Sequence, residues 1–315
     1  MFVRFLYPLL VALSLPAQTF LYVSSLSTNA ATTISVFNTT SPARLAFTGT
    51  RAGALLVSAD GRSYFATDAN GSTVAAYGAG TVQALATAGT GGSPASLALA
   101  PNGQRLYVAA AGGGIVSVHD PRTFQLIGSL GAGYSPTAII VHPDNSRFYV
   151  ANASDREVAV FSANPLRVIK RLKTGGGPIA LTFLDNRTLL VLNSGGESVT
   201  RIDTEGDEIQ SDFAVGPEPA AMALAGAERL LVSNSGDSTI RVFNPATGRQ
   251  TSTINLPPCR APRCAVMSLA VAGNLLYAAN SNQNEVYAID LTTGRVTATF
   301  DVPVGPRWIA VGTTN

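Results

Sequence analysis

Histidine and cysteine are nearly absent from this chain, with two of each in 315 residues. Zinc needs about four ligands, so His119, His142, Cys259 and Cys264 are too few and too scattered to suggest a metal centre. No G-x-S-x-G or H-E-x-x-H occurs, so the common hydrolase signatures are missing as well. Charge is scarce too, at 13% of residues, against a usual share of roughly 25%. The net charge is +2, which gives no basic field for nucleic acid. No run reaches the roughly 18 apolar residues that would cross a bilayer. No cofactor is expected, and no membrane span after a leader is removed.

What is present is apolar and small. Hydrophobic residues make up 46%, ample for a buried core and unlike a disordered chain. Met1-Phe2-Val3-Arg4 carries one positive charge, and the next eleven residues are almost wholly apolar. Leu15-Pro16-Ala17-Gln18 then ends that run. This is the pattern of a secretory leader, although Pro8 and Leu15 fit it poorly. Residues 1–18 are thus read as a leader and 19–315 as the mature domain. Export would deliver the chain to the periplasm or to the outside of the cell.

Cys259 and Cys264 lie in Pro-Pro-Cys-Arg-Ala-Pro-Arg-Cys. In an exported protein two close cysteines read first as a local disulfide. Free thiols and a metal site are the alternatives.

One phrase organises the sequence. It runs Tyr22-Val23-Ser24-Ser25, Tyr64-Phe65-Ala66-Thr67, Tyr107-Val108-Ala109-Ala110 and Tyr149-Val150-Ala151-Asn152. Leu190-Val191-Leu192-Asn193, Leu231-Val232-Ser233-Asn234 and Tyr277-Ala278-Ala279-Asn280 follow. A repeat of about 42 residues is one four-stranded propeller blade. The fourth unit shows the four strands: Thr137–Val141 (a), Arg147–Asn152 (b), Glu157–Phe161 (c) and Val168–Leu172 (d). His142-Pro143-Asp144-Asn145-Ser146 and Asn164-Pro165 supply turn chemistry between them. The chain opens on a strand b with no strand a before it. It ends on Pro306–Val311, a strand a with no strand b after it. The two ends therefore complete one blade. The expectation is an all-β, seven-bladed propeller with four antiparallel strands per blade, closed by the last strand against the first three. The last spacing is longer because Pro257–Arg263 is inserted between blades.

These phrases, above all Phe148-Tyr149-Val150-Ala151-Asn152, resemble the YVTN family of β-propellers. Asn244-Pro245-Ala246-Thr247-Gly248 and Asp290-Leu291-Thr292-Thr293-Gly294 resemble that family's turn between strands c and d. The resemblance covers residues 20 to 313 and implies a surface-layer or periplasmic protein, with lactonase-type and quinoprotein-like propellers as relatives. The Asn that follows strand b is replaced by Ser25, Thr67 and Ala110 in the first three units. Fold-level kinship does not fix activity.

Strand a should line the central channel. The d-to-a links and b-to-c loops should then share one face, here called the top. Candidate binding residues on that face are Tyr134, Glu218, Arg263, Arg307 and Trp308. Trp308 is the single tryptophan; it can stack on a planar ligand while Arg307 holds an anion. The plainer reading packs Trp308 between blades. Glu218 lies between two prolines, which stiffens it as a ligand or a base; an ordinary loop charge is the alternative. The Asn residues after strand b are expected to bond to the backbone. Asp203–Glu208 reads as a solvated turn rather than a calcium loop. No catalytic residue is assigned. The resulting reading is a monomeric, non-catalytic binding or scaffold protein whose top face meets a protein, a glycan or a small ligand. A lactonase-like hydrolase at the channel mouth and a quinoprotein-like electron-transfer subunit are the alternatives.

Overall fold

The computed structural model describes residues 18–25, 33–40, 44–48, 52–259 and 263–314. The leader expected at residues 1–18 lies outside them apart from Gln18. Seven four-stranded antiparallel sheets are arranged as blades, and no helix occurs among the described residues. Blades 2 to 7 span residues 52–89, 94–131, 136–173, 178–214, 219–255 and 266–301. Blade 1 is made from both ends of the chain. Pro306–Thr313 pairs with Thr19–Ser25, followed by Thr33–Asn38 and Arg44–Thr48. Leu21 faces Val311 and Val23 faces Ile309 across that seam. Closure in this way hides the two inner edges that an open array would leave unpaired.

The repeated phrase is strand b of each blade, and its burial explains why it recurs. Arg147–Asn152 and Leu275–Asn280 are buried at every position after the first, and Leu106–Ala110 at all positions. Strand b sits mid-blade with a neighbouring blade against each face. Both faces must then be apolar, giving a continuous run where a half-exposed strand would alternate. Outermost strands are exposed at most positions, as in Ala84–Gly89 and Gln250–Asn255.

The core therefore lies in the wedges between blades. Tyr107 of blade 3 packs on Phe148 of blade 4, whose ring stacks on Phe161 at 4.8 Å. Tyr22 of blade 1 meets Tyr64 of blade 2 at 4.3 Å, and Tyr64 stacks on Tyr77 at 4.8 Å. Burial drives the Tyr64 phenol well above its ordinary pKa. Its hydroxyl donates to the carbonyl of Thr81 at 2.7 Å, so the phenol is kept neutral with its polar end satisfied. Each fully buried aromatic or aliphatic side chain contributes about 1.5–3 kcal/mol.

Two expectations about polar groups change. Asp203–Glu208 is not wholly a solvated turn, because Asp207 is buried at 4% exposure. Its carboxylate accepts from Arg147 at 2.5 Å and from the Tyr149 hydroxyl at 2.8 Å, both in blade 4. A buried carboxylate needs such partners. The Asn side chains after strand b also do more than bond to the backbone. Asn152 donates to the carbonyl of Ala132 at 2.9 Å, but Asn193 donates to Thr200 Oγ1 at 2.8 Å. Asn280 reaches Cys259 Sγ at 3.2 Å.

Candidate functional site at the channel mouth

Hydrogen bonds fix the top face. In blades 4 to 7 the b-to-c loop donates to the residue just before strand a. Ala153 N–H bonds Ser135 O at 3.0 Å, Ser194 bonds Gly177 at 2.9 Å, Ser235 bonds Glu218 at 3.0 Å and Ser281 bonds Ala265 at 2.8 Å. Links and loops are thereby tied together above the channel.

Below them the innermost strands enclose a cavity of about 500 Å³. Its upper ring comes from the second residue of successive innermost strands: Ala95, Thr137, Ile179, Ala220, Met267 and Arg307. Met222, Ser268, Leu269 and Trp308 line it further. Adjacent strands are riveted there. Thr137 Oγ1 donates to Pro178 O at 2.8 Å, and Ser268 Oγ accepts from Ile309 N–H at 3.2 Å.

Arg307 is the one ionisable residue in this lining. No hydrogen bond or ion pair joins it to a described residue. Arg307 is thus the one charged side chain that this lining presents to a ligand. Trp308 stands next to it, partly buried, and packs against the cluster that holds Ala54 and Leu97. The packing role and the lining role thus coexist in one side chain.

The remaining candidates fall elsewhere. Glu218 and Arg263 pair with each other at 3.2 Å, both more than half exposed at the rim. Glu218 has φ +50°, a left-handed conformation that costs a non-glycine residue about 1 kcal/mol or more. Gly177 and Gly305 adopt the same sign of φ at the matching place, just before the proline that opens an innermost strand. Tyr134 is 77% exposed, and its N–H donates to Asp155 Oδ2 at 2.7 Å. It stands apart from the cavity lining.

Cys259 and Cys264 are joined as a disulfide with Cα atoms 5.6 Å apart. It ties the chain after blade 6 to the start of blade 7. Cys264 N–H donates to Ser238 Oγ at 2.8 Å, and Asn282 Nδ2 donates to Arg263 O at 2.8 Å. Among the described residues no group of three or more His, Cys, Asp or Glu side chains could hold a metal ion. His119 is buried at the end of a strand c, and His142 lies in the a-to-b turn at the opposite face from the mouth. Thr137, Ile179, Met222 and Met267 escaped sequence reading as lining residues. The available signal was place in strand a: Thr137, Ile179 and Met267 are the second residue of their strands, and Met222 is the fourth.

Residues 63–178 match a family described as lactonase, seven-bladed β-propeller, and residues 180–313 match a repeat of unknown function. The chain is similar to lactonase-type propellers. No curated protein matches it significantly. Among solved structures, a functionally unknown protein from Desulfotomaculum acetoxidans DSM 771 superposes with a TM-score of 0.77 at 16% identity, covering 92% of this chain and 98% of that one. A candidate 6-phosphogluconolactonase from Bacteroides fragilis NCTC 9343 gives 0.74 at 17%, covering 93% and 98%. Kuenenia stuttgartiensis hydrazine synthase gives 0.71 at 18%, covering 82% and 88%. Likeness at these identities establishes the fold alone.

Proposed function

We propose that this chain is an exported propeller of the YVTN type that binds a small anionic ligand in the mouth of its central channel, without catalysis. The observation that carries the reading is the cavity itself, apolar-walled with one unpaired cation, Arg307, beside Trp308. An exposed guanidinium at the edge of a mostly apolar pocket selects a ligand with one carboxylate or phosphate and an apolar or planar body. The apolar segment at the N-terminus and the joined cysteines support export.

Trp308 is the single tryptophan, so its emission reports on the site directly. Titration with small carboxylates and their neutral amides should shift that emission for the acids only. Arg307→Gln should weaken binding about tenfold or more. Ligands that raise the melting temperature while the emission stays constant would place the site elsewhere.

Lactone hydrolysis is the second reading, favoured by the family match over residues 63–178. Hydrolysis needs a positioned acid or base, and the lining offers neither carboxylate nor imidazole. Glu218 is held in an ion pair with Arg263 at the rim. Turnover of a lactone panel that is lost in Glu218→Gln would favour this reading over binding alone.

A further inference from the structure

Side-chain donors with a proton still to give gather on one side of the channel mouth. Of the residues lining the cavity, Thr137, Ser268, Arg307 and Trp308 carry side-chain N–H or O–H groups. Thr137, on blade 4, spends its proton on Pro178 O at 2.8 Å. The other three keep theirs. Ser268 Oγ accepts from Ile309 N–H at 3.2 Å, and no described acceptor takes its proton. The side chains of Arg307 and Trp308 bond to no described residue. Ser268 belongs to the innermost strand of blade 7, and Arg307 and Trp308 to that of blade 1. These two strands are neighbours in the ring. Blades 5 and 6 supply Ile179, Ala180, Ala220, Ala221 and Met222, a wall without a side-chain donor.

Ser268 has a twin that separates binding from architecture. Ser96 is also the third residue of its innermost strand, and its Oγ accepts from Ile139 N–H at 3.2 Å. The two serines thus make the same bond to the next blade. Ser96 lies outside the cavity lining, so only Ser268 presents its hydroxyl to a ligand there.

We infer that the ligand's head beside Arg307 is a monoanion of carboxylate type, and that Ser268 donates its hydroxyl proton to one of the head's oxygens. The inference rests on the binding reading above. One guanidinium balances one charge, and together with the Ser268 hydroxyl it suits the two oxygens of a carboxylate. A phosphate monoester carries about −1.5 to −2 at pH 7. Its further charge would meet an apolar lining that holds no second cation.

Trp308 emission and calorimetry on the full chain can compare benzoate, cyclohexanecarboxylate and hexanoate with phenyl, cyclohexyl and hexyl phosphate. Each carboxylate should bind more tightly than its phosphate counterpart. Ser268→Ala should weaken the carboxylates about tenfold, and Ser268→Thr, which keeps a hydroxyl, should restore them. Ser96→Ala should bind as the wild type does, while both alanine variants lose melting temperature alike. If Ser268→Ala misfolds, the preference of the wild type for carboxylates still decides. Phosphates bound as tightly as carboxylates, unchanged affinity in Ser268→Ala, or equal weakening in Ser96→Ala would overturn the inference, and the binding reading would stand if Arg307→Gln still lost the ligand. Affinity for neither set, or affinity indifferent to Arg307→Gln, would overturn both.

Discussion

Gly133 lies directly over the carboxamide of Asn152: a Cβ at residue 133 would stand 2.5 Å from Asn152 Nδ2. The same carboxamide donates to the carbonyl of Ala132 next door, a buried bond of 2.9 Å. Gly175 and Gly216 stand over Asn193 and Asn234 in the same way, with a Cβ there 3.0 Å and 2.9 Å from the carboxamide. In these three blades the Asn and the glycine of the preceding link are thus two halves of one contact that seats the link on its blade.

Gly133→Ala should therefore destabilise the protein by about 2 kcal/mol or more, from the clash, the φ of +135° and the disturbed buried bond. Gly103→Ala, also at positive φ but with nothing within 4 Å of its Cβ, should lose only about 1 kcal/mol. Denaturant titration of both separates steric from backbone cost. Equal losses would show that Asn152 yields freely.

Asp207 and Glu205 sit two residues apart and should behave oppositely. Asp207 is buried and answers Arg147 and the Tyr149 hydroxyl across the blade 4 to blade 5 wedge. Asp207→Ala leaves Arg147 without its carboxylate in a half-covered site, and should cost about 3 kcal/mol. Glu205 pairs with Arg187, both about 70% exposed, and Glu205→Ala should change stability by less than about 1 kcal/mol. Comparable losses for the two, read by chemical denaturation, would mean that the Asp207 network does not stabilise the wedge.

The architecture was legible because a local pattern encodes it. Strand b must be apolar on both faces, so Tyr149-Val150-Ala151 and its six counterparts stand out at a fixed period, and the lone strands at the two ends imply closure. The channel was half legible: Arg307 and Trp308 could be placed in strand a, but the methionines that face them bear no chemical signature. Contacts across wedges were not legible. Arg147 and Asp207 are 60 residues apart, and nothing local distinguishes Asp207 from the exposed acids on either side. Likewise Asn152 and Asn193 share a repeat position, yet they bond different partners because Thr200 offers a hydroxyl where blade 4 has Ala159.

Burial also sets a pH response through His119. Its ring is 1% exposed, with Nε2 3.0 Å from Ser117 Oγ. Burial holds its pKa below the ordinary imidazole value, and the Phe124 peptide offsets this only in part. The neutral ring is therefore the form the fold accepts. Because the folded value is depressed, its stabilising contribution is complete above the unfolded pKa, roughly 6.5, and is lost as pH falls through the lower folded value. Asp120 and Asp290, depressed by N–H donors from Thr123 and Thr293, act in the same direction but below about pH 4. Melting temperature should thus fall between about pH 6.5 and 4.5 in the wild type, before those carboxylates titrate. His119→Gln, which has no proton to gain, should flatten that interval while keeping the steeper loss at lower pH. Parallel curves for the two proteins from pH 6.5 to 4.5 would assign the acid sensitivity to some other group.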